Sequence, residues 1–153
     1  MTTSSFINAF CSLLTTLLLC ADATFGQNEF LGLKTSSDSS YGYTAQKPLQ
    51  LKKGNQQKSM VYAEKFLRGL KLQDGQTMTL ISRVSTSNPK YQEPLIKVKS
   101  RVTGMPLSGN IGMLDRYKFL TSTTKDTLII YVDVYNKGEL QLPVGMQYEQ
   151  LPQ

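Results

Sequence analysis

The stretch Ser59-Met60-Val61-Tyr62-Ala63-Glu64-Lys65-Phe66-Leu67-Arg68-Gly69-Leu70 decides the helical half of the fold. Met60, Ala63, Phe66, Leu67 and Leu70 fall at helical spacing on one side, and Glu64, Lys65 and Arg68 fall on the other. This pattern predicts one amphipathic helix with its apolar stripe against a core. Ser59 stands where an N-cap is wanted, because a hydroxyl there accepts from a free amide of the first turn. Gly69 stands where the chain is expected to stop in the left-handed conformation that glycine tolerates.

Outward from the helix the pattern changes to period two. Upstream, Lys47 to Lys53 alternates around Leu49 and Leu51 and predicts a strand, with Pro48 at its start or on a sheet edge. Downstream, Asp74-Gly75 signals a turn, and Gln76 to Val84 is apolar and β-branched. Leu95 to Val102 alternates strictly. Leu114 to Leu120 puts Tyr117 and Phe119 on one face and Arg116 and Lys118 on the other. Thr127 to Tyr135 is almost continuously apolar, as a central strand covered on both faces would be. Asn136-Lys137-Gly138 predicts a tight reversal into a short strand from Glu139 to Leu142. One helix with about five mostly antiparallel strands makes a two-layer α+β domain, the helix packed on one sheet face.

Four segments follow from composition: a signal peptide over 1–26, a flexible arm over 27–44, a single α+β domain over 45–148 and a short tail over 149–153. Met1 to Ala21 carries no charge, Leu13, Leu14, Leu17, Leu18 and Leu19 form an apolar block, and Ala21-Asp22-Ala23 offers the small residues of a cleavage site. A second cut after Gly26 fits as well. No Lys or Arg precedes the block, so an uncleaved anchor helix and lipidation at Cys20 stand as alternatives. Export of the remainder, to the periplasm, the outer surface or the medium, is the expected localisation. The arm is rich in Ser, Gly and Thr without an apolar face. The ~127 residues beyond the signal suffice to bury roughly two-thirds of their unfolded surface.

Residue inventory narrows the chemistry. The 153 residues include no histidine and two cysteines, Cys11 and Cys20, both inside the expected signal. Disulfides, thiol nucleophiles, imidazole acid–base catalysis and zinc sites lose their usual residues, so no metal, no cofactor and no catalytic residue is assigned. The Gly104, Gly109, Gly112 region lacks the Lys-Ser/Thr ending of a phosphate loop. Asp115, Asp126, Asp133 and Glu139 are the carboxylates nearest to neighbouring strands. A pair of them across a cleft would support glycoside hydrolysis, and solvated or ion-paired carboxylates are the plainer use.

Binding has more to build on. Seventeen Lys and Arg against 11 Asp and Glu give a net charge of +6, and losing Asp22 with the signal raises the excess by one. Such a balance favours polyanions such as nucleic acid, acidic glycans or lipid head groups, and it also serves solubility alone. Lys97, Lys99 and Arg101 alternate on the expected Leu95 to Val102 strand, which lines up three cations about 7 Å apart. That row suits a polyanionic surface ligand, or the solvent side or guarded edge of a sheet. Tyr41 and Tyr43, with the strand aromatics, form a second candidate surface, for instance for an envelope protein, since tyrosine serves interfaces well; core packing is the plainer use of most of these rings.

Several motifs carry a family resemblance: Tyr41-Gly42-Tyr43-Thr44, Lys47-Pro48-Leu49-Gln50-Leu51, Glu64 to Leu70, Leu114-Asp115-Arg116-Tyr117, Leu128 to Tyr135, and Gly138 to Gly145. Over most of 41–146 the chain resembles a family of small exported bacterial proteins without an established function. Members sometimes carry a 2-dehydro-3-deoxyphosphooctonate aldolase label, but that enzyme is a barrel about twice this length. Where members show a Gly-Ser-Cys-Cys-like segment, this chain has Ser85-Thr86-Ser87-Asn88-Pro89. The resemblance implies an exported α+β domain and supplies no site residue. The expected function is a non-enzymatic binding domain at the cell envelope or outside the cell. The alternative is a small carboxylate hydrolase acting on surface glycans.

Overall fold

The structure, a computed structural model, describes residues 28–92, 99–104 and 112–150. The expected signal, its two cysteines, Lys97 and the first half of the expected Leu95 to Val102 strand lie outside the described residues. The chain divides into two units, 1–31 and 32–153. In the first, the described residues include a 3-10 turn over Asn28–Phe30. The second holds β1 (Leu49–Gln50), α1 (Gln56–Gly69), β2 (Leu70–Leu72), β3 (Met78–Ser87), β4 (Met113–Thr121), β5 (Thr127–Asp133) and β6 (Met146–Tyr148). It is an α+β fold: the described residues form one helix, a four-stranded sheet ordered β1-β5-β4-β3, and a ribbon of β2 with β6. No helix among the described residues is long and apolar enough to cross a membrane.

The helix forms where its spacing predicts, with both ends corrected. Asn55, not Ser59, is the N-cap: its side-chain oxygen accepts from the Lys58 amide at 2.9 Å. Ser59 lies inside the first turn, fully buried. Its hydroxyl accepts from the Lys53 amide at 2.8 Å and donates to the Asn55 carbonyl at 2.9 Å, tying the preceding loop to the helix. Gly69 is the last helical residue and has no positive φ. Glycine is required there because a Cβ would lie 2.4 Å from the Tyr148 ring and 2.8 Å from the Glu149 carbonyl oxygen. Ala63, Phe66 and Leu67 are buried as the stripe predicts, and burying a side chain as large as Phe66 contributes about 1.5–3 kcal/mol.

Antiparallel pairing sets the faces of the main sheet. Tyr117 stands opposite Ile130, Phe119 opposite Leu128 and Asp115 opposite Val132, while Leu80 faces Phe119 and Arg83 faces Tyr117 across β3. Side chains two apart share a face, so Asp115, Tyr117 and Phe119 look to the helix. Arg116 and Lys118 look the other way and are exposed, as expected. A bulge between Leu80 and Ser82 leaves Ile81 as the extra residue of β3. β1 runs parallel to β5, with Leu49 opposite Val132. Cover on both faces of β5 is confined to its C-terminal end, where the neighbours Val132 and Asp133, on opposite faces, are both buried, whereas Ile129 is 37% exposed.

Two connections differ from expectation. After Asn136 the chain makes no hairpin. The expected strand from Glu139 to Leu142 is irregular, and Leu142 instead bridges in parallel to Thr35. The partner strands β2 and β6, which no alternation announced, join antiparallel with Leu70 opposite Tyr148. The arm expected to hang loosely over 27–44 is hydrogen-bonded from Lys34 onward. Ser36 donates to the Leu142 carbonyl (2.8 Å), Leu142 to that of Lys34 (2.9 Å) and Tyr131 to that of Gly42 (2.8 Å). Composition misled here because Ser, Gly and Thr also build successive turns. The Asp38 carboxylate accepts from Ser40 and pairs with the Lys47 ammonium, which holds its pKa well below the usual carboxylate range.

Candidate binding site

β3 and β5 are both antiparallel to β4, and β1 is parallel to β5, so the C-terminal ends of β1, β3 and β5 lie at one end of the sheet. The loops leaving β3 and β5 therefore meet. Gln50, Asn88, Lys90, Tyr91, Asp133, Asn136 and Lys137 line a recess there of about 320 Å³. Residues 47 positions apart along the chain, Lys90 and Lys137, converge on it.

The walls are fixed locally. Asn88 donates its amide to the Gly112 carbonyl (3.0 Å), its carbonyl accepts from Tyr91 (3.0 Å), and its side-chain oxygen accepts from Lys90 (2.9 Å), which closes the turn carrying Lys90 and Tyr91. Two close approaches complete the frame: a Cβ on Gly112 would lie 2.7 Å from the Tyr91 ring, and one on Gly138 2.5 Å from Gln50 Cγ. Asp133 is buried, its Oδ1 accepting from the Tyr135 (2.9 Å) and Asn136 (2.8 Å) amides and its Oδ2 from Asn136 Nδ2 (2.9 Å). Its charge is thus directed to its own loop. Neither Lys90 nor Lys137 forms an ion pair among the described residues. Gln50 Oε1 is sealed from solvent and accepts no hydrogen bond among them.

The residues singled out by sequence fall elsewhere. Lys99 and Arg101 are exposed, but Arg101 belongs to a turn over 101–103, where Gly104 donates to the Ser100 carbonyl at 2.9 Å. Arg101 therefore does not continue a regular strand from Lys99. Tyr41 and Tyr43 act as clamps: their hydroxyls donate to the Glu139 (3.1 Å) and Val144 (2.7 Å) carbonyls, and Tyr41 also accepts from Gln141 (3.2 Å). Burial pushes both phenols above their ordinary pKa.

The carboxylates do not assemble. Asp115 pairs directly with Val132, so Asp133, one residue on, points to the opposite face of the sheet. Asp115 is fully buried, accepting from Arg83 Nη2 (2.8 Å) and from the Ser85 hydroxyl (3.2 Å). The Arg83 guanidinium also lies 5.6 Å from the Tyr117 ring centroid. Burial pushes the Tyr117 phenol up to about 12, with Arg83 opposing. Asp126 and Glu139 are exposed. The Arg83–Asp115 pair is thus an internal brace between β3 and β4.

Sequence reading missed Asn88, Lys90 and Tyr91 as site residues and took Asn136-Lys137-Gly138 only as a turn. The signal that marks them is the pair of turn motifs, Asn88-Pro89 and Asn136-Lys137-Gly138, ending two strands that run the same way. Comparison with known proteins finds no matching family model, no matching curated protein sequence and no matching solved structure.

Proposed function

We propose that this chain is a non-enzymatic binding domain working outside the cytosol, and that it holds an anionic, hydroxyl-rich ligand such as an acidic glycan in the recess beyond β3 and β5. One observation carries the reading. Two lysines without carboxylate partners among the described residues, three carboxamides and a tyrosine converge at the sheet end, while the one carboxylate in the lining, Asp133, is bonded to its own loop and Asp115 to Arg83. Ammonium groups suit a uronate or phosphate, carboxamides suit hydroxyl pairs, and a phenol ring suits the face of a sugar. A hydroxyl reaching Gln50 Oε1 would also relieve a buried acceptor that otherwise costs about 1–3 kcal/mol. The leucine-rich leader and the likeness to small exported bacterial proteins support placing this activity at the envelope or beyond it.

The test is retention of the protein on immobilised polygalacturonate across a salt gradient. Two charge-assisted hydrogen bonds at about 1.5 kcal/mol each predict a roughly hundredfold weaker affinity for the Lys90→Ser, Lys137→Ser double variant. Lys99→Ser, Arg101→Ser serves as the control and keeps wild-type retention. Equal retention of wild type and the Lys90, Lys137 variant would remove the recess from the account.

A further inference from the structure

A second surface, away from the recess, has the geometry of a strand acceptor. β3 is an edge strand among the described residues, since the sheet order ends with it. Natural edges are blunted by short length, Lys, Pro, bulges or inward-pointing charge; Met78–Ser87 runs ten residues without Lys or Pro, with one bulge near its start and one inward charge. Its single charge, Arg83, is turned inward to Asp115 at 2.8 Å. Leu80, Ile81 and Val84 are about half exposed, at 51%, 50% and 48%. The bulge at Leu80/Ser82 bends one end and leaves the span from Ser82 to Ser87 in continuous register with β4.

The helix adds a wall. It covers the sheet only as far as β4, so Met78 and Leu80 form a ledge beside Leu67, with Tyr117 and Phe119 as the floor of a groove of about 360 Å³. A strand added to β3 would place alternate side chains on this helix side, where apolar groups fit. Its other side chains would stand on the open face, where Arg116 lies opposite Val84 and Lys118 opposite Ser82. At two strand spacings, roughly 10 Å, those long cations reach across β3 to a carboxylate on the incoming strand. At strand positions of this face the described carboxylate is Asp133, which is buried and bonded to its own loop. A second copy is disfavoured as the occupant, because each carries a net charge of +6 and would bring Arg116 and Lys118 toward their own kind.

We infer that the outer edge of β3 accepts an extended acidic peptide strand, with apolar side chains turned to the α1 groove and carboxylates turned to Arg116 and Lys118. Backbone pairing supplies the affinity and the two faces supply the selection. This surface is independent of the recess, so either can fail without the other.

The probes are three capped decapeptides: alternating valine and glutamate, alternating valine and lysine, and the glutamate peptide with alternate amides N-methylated. Titration into the isotope-labelled protein, followed by amide exchange, reads both affinity and place. The glutamate peptide is expected to bind and to slow exchange over 82–87. The lysine peptide should bind at least roughly tenfold more weakly, as expected when like charges replace complementary ones, and the N-methylated peptide should not bind. Arg116→Glu, Lys118→Glu, both at exposed positions, should reverse the preference while thermal unfolding stays unchanged. The inference is overturned by absence of binding at millimolar glutamate peptide, by equal binding of the N-methylated peptide, or by a preference that survives charge reversal. Sedimentation showing a dimer protected at β3 would also overturn it, by making a second copy the occupant.

Discussion

Gly69→Ala separates three readings of one residue. At an ordinary late helical position the substitution stabilises by about 1 kcal/mol, because glycine loses more backbone entropy on folding. At a left-handed stop it would destabilise through backbone strain alone. Here Gly69 is helical, and the new methyl would lie 2.4 and 2.6 Å from two Tyr148 ring carbons and 2.8 Å from the Glu149 oxygen. Neither neighbour yields easily: the Glu149 amide donates to the Gly69 carbonyl at 2.8 Å, and the Tyr148 ring stacks on Phe66 at 5.9 Å. Overpacking of this kind costs about 1–3 kcal/mol. Set against the propensity gain, the net loss is about 1 kcal/mol, a fall in Tm of about 3–5 °C for a domain of this size. The assay is urea and thermal unfolding of Gly69→Ala, Tyr148→Ala and the double variant. Removing the ring deletes two of the three close contacts, so the penalty of Gly69→Ala should shrink by about 1 kcal/mol in the Tyr148→Ala background. A single variant as stable as wild type, or two penalties that simply add, would refute the steric reasoning.

Arg83→Met leaves the buried Asp115 carboxylate with the Ser85 hydroxyl. Breaking a buried pair costs about 3–5 kcal/mol, and because Arg83 is 35% exposed the expected loss in urea unfolding is nearer 2–3 kcal/mol; a loss under about 0.5 kcal/mol would show that the brace is not structural. The Tyr117 phenol, raised to about 12 mainly by burial, is more readily ionised in the unfolded chain. Its stabilisation is therefore complete below about pH 10 and is lost as pH rises toward 12, and Tyr117→Phe should flatten that decline in a pH series of unfolding midpoints. Asp133→Ala deletes three hydrogen bonds to its own loop and should lower both stability, by about 2 kcal/mol, and retention on polygalacturonate. Mass spectrometry of protein from its native host should show a chain beginning beyond Ala23; an intact Met1 in the cytosolic fraction would contradict export.

Much of the architecture was legible because burial imposes a period. The stripe Ala63, Phe66, Leu67 and the alternation of Tyr117 and Phe119 with Arg116 and Lys118 each answer to one buried face, and both stand in the fold. Legibility failed where structure depends on partners remote in sequence. β2 and β6 are three residues each and exist through their pairing, which no local pattern encodes. The arm looked unstructured because the groups that hold it, Leu142 and Tyr131, lie about a hundred residues away. The reading placed the cap at Ser59 because serine is a capping residue type; Asn55 holds it because its side chain reaches the Lys58 amide, while the Ser59 hydroxyl is engaged by Lys53. The candidate recess was least visible of all. Apart from Gln50 in β1 and Asp133 at the end of β5, its residues sit in turns and loops without alternation, and only strand direction, a property of the assembled sheet, brings Lys90 and Lys137 together.

Chemical-shift mapping of a galacturonate oligosaccharide on the isotope-labelled protein tests the binding account most directly. Saturable shifts gathered on Gln50, Asn88, Lys90, Tyr91, Asn136 and Lys137, and absent from the Lys90→Ser, Lys137→Ser variant, are the predicted result. Shifts scattered over the lysines of the whole surface, or unaltered in that variant, would contradict it.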